Sequence, residues 1–531
     1  MKVKYLIALS IVLPLAACSQ GTTSSSTSAQ ATAAAPAISS PSAAPAPSEA
    51  APAEATPQSG GQLTVGLDSE PESLDPMLDS GYASSQIKKQ LFDPLFNILD
   101  DGTIEPVLAE SFVQSDPTHL TITLRDGVTF QDGTPFDADA VKINLDRMKS
   151  DESSWKSDLD VVTEVNVIDP KTVEIVLAKP YAPLFSVLAD QPGFMMSPTA
   201  IKKNGDSIGS NPVGTGPYAL KSWAKNDRIE LVKNATYWQA GLPYLDAVTF
   251  RPISDPTVKV TELASGQIQA VDYVPPQLVS VVEGNANLQY GTGPANYGAT
   301  VYVPMNPNVA PFDDPAVRQA LQMAIDRSSI VKNITFGTGT ASKSMIGESS
   351  WAFDSSLADI PFDPEGAKKL LGGKTVSFEL QVPPTYAQEA QVIKENLAQA
   401  GLNADIVKMD WGQLLDNYFA GTFQAQLQDI LGLTRSDPSG LFNGFFSTKG
   451  GLSGTGAGSA EIDAMLDEAQ TLTDQAERKA IYAKVLQQAR ADAYYTPVYQ
   501  PVNNRAWAKG YEGLTPPATG LMNLREVWLV Q

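Results

Sequence analysis

Residues 19–60 decide where folding can begin. Of these 42 residues, 34 are Ala, Ser, Thr or Pro. A stretch with so few large apolar side chains cannot bury enough surface to offset the entropy of ordering its backbone. It reads as a flexible to semi-extended linker. Whatever packs a core must therefore lie in residues 61–531, a length that allows more than one core.

The first eighteen residues have a different logic. Lys2 and Lys4 form a basic start, Tyr5 to Leu15 is apolar, and Leu15-Ala16-Ala17-Cys18 closes the segment. The apolar run is too short to span a bilayer as a helix. Residues 1–18 are expected to be a lipoprotein signal peptide, with small residues before the cut and Cys18 as the lipidated residue. A plain secretory signal is the alternative. The only cysteine of the chain stands at the one position lipidation needs, which favours an anchor. Acyl chains contribute about 0.8 kcal/mol per buried methylene. The expected place is the cell envelope, on the outer face of the cytoplasmic membrane or in the periplasm.

Charge narrows the partners. Thirty-seven basic residues face 59 acidic ones, a net charge of −22. Lys2 and Lys4 balance Glu49 and Glu54, so all of that excess belongs to residues 61–531. Nucleic acid and anionic lipid both call for basic surfaces, so neither is an expected partner. One cysteine and one histidine, His119, leave no disulfide and no Cys/His metal cluster. No metal and no cofactor are expected.

Periodicity indicates mixed α/β structure. Leu63, Val65 and Leu67 alternate as a half-buried strand does, as do Val376, Phe378, Leu380 and Val382. Leu120–Leu124 and Val128–Phe130 alternate around Asp126-Gly127, which predicts a hairpin; a second is predicted across Asp169-Pro170. Asp137, Asp314 and Asp363 stand where helix caps belong, followed by apolar residues at helical spacing. A further helical stripe runs through Ile462, Met465, Leu466 and Ala469. Catalytic devices are hard to assemble. Gly454-Thr455-Gly456-Ala457-Gly458 lacks the Lys-Ser/Thr ending of a phosphate loop and reads as a surface loop. A Ser-His-Asp arrangement would have to use His119, which sits in an Asp-Pro-Thr-His turn. Asp137 and Asp139 are explained by capping and solvent. No catalytic residue is assigned.

Several stretches together resemble one family. These are Pro71-Glu72-Ser73-Leu74-Asp75-Pro76, Leu91-Phe92-Asp93-Pro94-Leu95 and Pro106–Phe112. They continue with Leu124-Arg125-Asp126-Gly127-Val128-Thr129-Phe130-Gln131-Asp132-Gly133-Thr134-Pro135 and Asn211-Pro212-Val213-Gly214-Thr215-Gly216-Pro217-Tyr218. Last come Asn306 with Pro311–Leu321, and Asp363–Leu371. In this order, across residues 61–531, they are similar to the family 5 extracellular solute-binding proteins, the peptide, nickel and opine receptors of ABC importers.

The resemblance implies a two-lobed periplasmic-binding-protein-like α/β fold of the large type II kind. Lobe I would take 61–91, 198–291 and 498–531, an extra subdomain 92–197, and lobe II 292–497. It implies a small-molecule or short-peptide ligand held in an interlobe cleft, an ABC permease as partner, and a monomer. A tethered secreted hydrolase or glycosidase is the alternative.

Peptide receptors of the family carry an ammonium-binding aspartate just before the Asp-Pro step. Here Leu433 and Thr434 stand there, followed by Arg435. The arginine fork suits a carboxylate or phosphate; it can equally pair with Asp437 or a surface acid. Trp411 and Tyr418, seven residues apart on one helical face, are candidate ligand platforms or lobe II core. Tyr82, Asn306 and Tyr499 are further candidates. Gly214 and Thr215 either bring bare backbone near a ligand or form a plain turn.

Overall fold

The computed structural model describes residues 56–78, 81–99, 103–293, 299–430, 435–454, 456, 458–516 and 519–530. Cys18, the signal segment, most of the linker and Thr434 lie outside the described residues.

Four sheets of three or more strands organise the described chain. The largest has seven strands, in the order 288–293, 503–508, 270–271, 62–67, 247–252, 228–233 and 218–224. Its centre is parallel: Gln62–Leu67 pairs with Ala247–Pro252 on one side and Ala270–Val271 on the other. The alternation predicted for the first strand is real, since Leu63, Val65 and Leu67 are fully buried. A four-stranded antiparallel sheet of Ala109–Asp116, His119–Leu124, Thr172–Leu177 and Val162–Asp169 has its own apolar core, with Leu120, Ile122, Val173 and Ile175 at its centre. A second four-stranded sheet joins 340–341, 495–500, 300–304 and 428–430, beside a parallel three-stranded sheet of 402–408, 376–382 and 425–426.

The predicted helix caps hold. Asp137 Oδ1 accepts from Ala140 N at 2.9 Å and opens Ala138–Met148, burying Val141, Leu145 and Met148. Asp314 and Asp363 cap Pro315–Met323 and Pro364–Leu370. The hairpin across Asp169-Pro170 forms, with Val167 opposite Val173. The hairpin predicted at Asp126-Gly127 does not. His119–Leu124 already has Ala109–Asp116 on one edge and Thr172–Leu177 on the other, so no edge is left for Val128–Phe130. That segment folds locally, through a single bridge between Thr129 and Pro135.

The chain crosses between the seven-stranded sheet and the second four-stranded sheet along two adjacent paths. Leu288–Gly293 lies beside Asn503–Ala508 in the first, with Gly293 opposite Asn503. Thr300–Pro304 lies beside Tyr495–Gln500 in the second, with Val301 opposite Tyr499. The division expected between 497 and 498 falls inside the strand Tyr495–Gln500.

Candidate functional site

Parallel strands place their following loops at one edge of a sheet, and α/β ligand sites open outside those carboxyl ends. Here that edge carries Asp68, just after Leu67, and Asp272 and Tyr273, just after Val271. Lys259, on the helix Pro256–Ala264, reaches both acids; its Nζ bonds Asp68 and lies 2.6 Å from Asp272 Oδ1. Gly66 lets the lysine stem pass: a Cβ there would lie 3.0 Å from Lys259 Cγ and 2.9 Å from Ile268 Cδ1.

Across the crossover strands, four side chains complete an acidic, phenolic cluster. The Tyr386 hydroxyl donates to Asp429 Oδ2. The Tyr499 hydroxyl donates to Glu389 Oε1 at 3.3 Å. Burial pushes the Asp429 and Glu389 carboxyls above the ordinary range, and hydrogen bonds from backbone N–H groups and from the two tyrosines pull them only partly back. Tyr273, from the first sheet, titrates above the usual phenol because of burial first, and then the nearby Asp68, Asp429 and Glu389 charges. Among the described residues no Lys or Arg pairs with Asp429 or Glu389. Two desolvated carboxylates without a cation are costly as charges, and a cationic group placed between them would offset that cost.

A second set of groups lies at the start of Asn503–Ala508. Asn503 Nδ2, Asn504 Nδ2 and Arg505 Nε and Nη1 are buried donors with no partner among the described residues. Asn504 uses its oxygen to accept from the Tyr290 hydroxyl at 2.6 Å.

The residues singled out from the sequence separate into two groups. Tyr499 belongs to the acidic cluster, and half-buried Trp411 packs edge-on against Tyr386 behind it, with ring centroids 6.1 Å apart. Tyr82 touches the second set of groups through Arg505, and the others are engaged elsewhere. Tyr418 is core: its hydroxyl donates to Leu452 O at 2.9 Å and its ring packs on Phe423. Asn306 pins a turn, donating from Nδ2 to Gly421 O and Phe423 O at 3.0 and 3.2 Å. Gly214 faces no cleft; a Cβ there would lie 2.1 Å from Leu91 O, so the glycine is needed for close backbone packing. Thr215 is fully buried and its Oγ1 accepts from Asp93 N. The Tyr82 hydroxyl donates to Gly520 O and accepts from Arg505 Nη2.

Arg435 differs most from expectation. It pairs with neither Asp437 nor a ligand-ready opening. Its Nη1 lies 2.9 Å from Asp158 Oδ1, its Nε 3.1 Å from Asp190 Oδ2, and its guanidinium stacks over Trp155 at 4.8 Å. Among the described residues only Nη2 is left without a partner, and it is buried. Asp437 is held instead by both terminal nitrogens of Arg478, at 2.7 and 2.9 Å. His119 is half-exposed and its Nδ1 meets Asp116 at 3.0 Å, the solvated turn histidine its sequence setting suggests.

Tyr386, Glu389, Asp429 and Tyr273 escaped the sequence reading. Tyr386 and Glu389 share one helical start, but Tyr273 and Asp429 come from distant segments, and only the crossover geometry brings the four together.

Comparison with known proteins agrees with this architecture. The model for bacterial extracellular solute-binding proteins, family 5 Middle, matches residues 103–453. The glutathione-binding protein GsiB of Salmonella typhimurium strain LT2 is 36% identical over 361 residues, covering 66% of this chain and 70% of its own length. GsiB of Shigella flexneri is 35% identical over 362 residues, with the same coverage. AgaA from A. tumefaciens R10, solved with agropinic acid, superposes with a TM-score of 0.77 at 26% identity, over 89% of this chain and 99% of its own. The ABC transporter-associated periplasmic binding protein DppA from Helicobacter pylori, solved with the peptide STSA, shares the two-lobed fold, with a TM-score of 0.79 at 23% identity over 89% and 99% of the two chains. None of these supports a tethered hydrolase. Among the described residues no helix is long and apolar enough to cross a membrane. The chain belongs to the bacterial extracellular solute-binding proteins of family 5, and is a binding protein of the ABC-transporter type, not an enzyme.

Proposed function

We propose that this receptor captures a small amino-acid-derived solute, peptide-like or opine-like, that carries both a cationic group and a carboxylate. The observation that carries the reading is the pair Asp429 and Glu389, half-buried and buried in turn, each desolvated and without a cationic partner among the described residues. An ammonium group seated there would take the charges of both acids, with the Tyr273, Tyr386 and Tyr499 hydroxyls around it. The carboxylate end would meet the donors of Asn503 and Arg505 that have no partner among the described residues. A relative named for glutathione and a solved structure holding agropinic acid fit solutes of this size and chemistry. Thr434, close in sequence to Asp429, is proposed as a further ligand contact. The division into lobe I, subdomain and lobe II drawn from the sequence is part of the same reading. So are a monomeric state, delivery to a membrane permease, and an anchor at Cys18, for which the lone cysteine and the linker are the support.

Mass spectrometry of ligand retained through native purification identifies the solute, and calorimetry then measures it on Asp429→Asn. Hydrogen bonds to charged groups contribute about 1.5–3 kcal/mol, so the variant should bind about 10- to 100-fold more weakly. Affinity should also fall on acidification. Because both carboxyls titrate above the ordinary range, the loss should begin at a higher pH than an exposed carboxylate would give. A retained ligand with no cationic group, or unchanged affinity in folded Asp429→Asn, overturns the proposal. Cys18→Ser should leave the membrane fraction; a variant that stays there after salt washing has another anchor.

A further inference from the structure

Arg435 stands between two bodies that have separate cores. The segment that follows it, Ser439–Phe446, packs with the helices Ala460–Thr471 and Gln475–Asp492. Its partners Asp158, Asp190 and Trp155 belong to the body built on the antiparallel sheet. That body is tied in turn to the seven-stranded sheet, where Gln131 Nε2 bonds Leu91 O and Tyr218 O at 3.1 and 2.8 Å and Arg147 holds Asp75. Among the described residues two connections therefore join the halves of the molecule. One is the covalent pair of crossover strands, and the other is the contact around Arg435.

The contact around Arg435 holds little else of comparable strength. Ala182 N donates to Gln470 O at 2.8 Å, and Asp437 N to Ser186 Oγ at 3.3 Å. Lys179 and Asp467 approach at 3.6 Å, but both are half-exposed or more, and such pairs contribute little. Among the described residues of this contact, Arg435 alone is a buried charge set between two carboxylates and an aromatic ring. The preparation around it is also specific: Arg478 clamps Asp437, two residues further on, and so fixes the backbone that presents the guanidinium.

We propose that Arg435 is the positioning residue for ligand capture: a clasp that holds the two halves closed on Asp158 and Asp190 and does not itself touch the ligand. Its interactions lie wholly within the protein, so they stabilise the closed form before any solute arrives. A receptor whose competent form is partly populated binds with an affinity reduced by that fraction, so the clasp sets capture for every ligand alike. This goes beyond the proposed identity of the solute and does not depend on it.

The test needs no ligand. Full-length protein carrying Cys18→Ser, with Val113→Cys and Ala476→Cys on exposed positions of the two bodies, is labelled with a dye pair and read by single-molecule energy transfer. Arg435→Ala should lower the closed-to-open ratio of ligand-free protein about tenfold or more. Asp158→Asn with Asp190→Asn should produce the same shift, and the three substitutions together should add nothing further. If Arg435→Ala fails to fold, the aspartate pair decides alone. An unchanged distribution in the aspartate pair, or shifts that add in the triple variant, overturns the clasp.

Discussion

Replacing Lys259 with methionine removes one charge and leaves the stem that threads past Gly66. The consequence falls on the two acids unequally. Asp68 is 48% exposed and can turn to water; Asp272 is 1% exposed and cannot. Without the ammonium, the one donor left to Asp272 among the described residues is the Asp68 backbone N–H, at 3.3 Å. Removing one partner of a buried pair costs about 3–5 kcal/mol, and the exposure of Asp68 puts this case near the lower end. For a cooperative unit of about 150–250 residues each kcal/mol moves the melting temperature by about 2–4 °C, so the transition of the first body should fall by about 6–12 °C.

Burial works against the Lys259 charge, but Asp272 and Asp68 more than offset it, so the ammonium titrates above the ordinary lysine value. A raised value means that its contribution is complete below the ordinary lysine pKa and is lost only as pH rises through the folded one. The difference between wild type and Lys259→Met should therefore be flat across neutral pH and shrink only in strong alkali. Differential scanning fluorimetry of wild type, Lys259→Met and Lys259→Met with Asp272→Asn reads the effect. The double variant should recover most of the loss, because the stranded charge is gone. A Lys259→Met protein melting within about 1 °C of wild type, or a second substitution that recovers nothing, refutes the account.

Two packing predictions accompany this one. Gly214→Ala forces a methyl to within 2.1 Å of Leu91 O, and overpacking against backbone costs about 1–3 kcal/mol or more, so it should melt lower while the folded fraction binds its solute as before. Tyr418→Phe removes one hydroxyl hydrogen bond to Leu452 O and should cost about 0.5–1.5 kcal/mol in urea denaturation with unchanged affinity; a large affinity loss would return Tyr418 to the ligand site.

Local rules carried the sequence reading a long way. Asp137, Asp314 and Asp363 cap helices because a side-chain oxygen meets backbone N–H groups within three residues, a relation the sequence contains in full. Strands such as Gln62–Leu67 show their burial through period-two alternation alone. The ordered motifs likewise carry the family resemblance in the linear chain alone. Where the outcome depended on which strand took which edge, local reading failed: Asp126-Gly127 offers a good hairpin turn, and both edges of His119–Leu124 were already occupied.

The candidate site follows the same division. One histidine and one cysteine are too few for a Cys/His metal cluster, and the Ala/Ser/Thr/Pro-rich composition of residues 19–60 predicts a linker; both are properties of the linear chain. What Arg435 pairs with, and what lies near Asp429, are not. Asp158 and Asp190 are 277 and 245 residues away from Arg435, and Asp429 is 40 from Glu389 and 156 from Tyr273. A guanidinium takes whichever carboxylate the fold delivers, and a carboxyl is desolvated only when distant segments close over it. Those energies depend on distance in space, which the crossover strands and the packing of separate cores decide and the order of residues does not display.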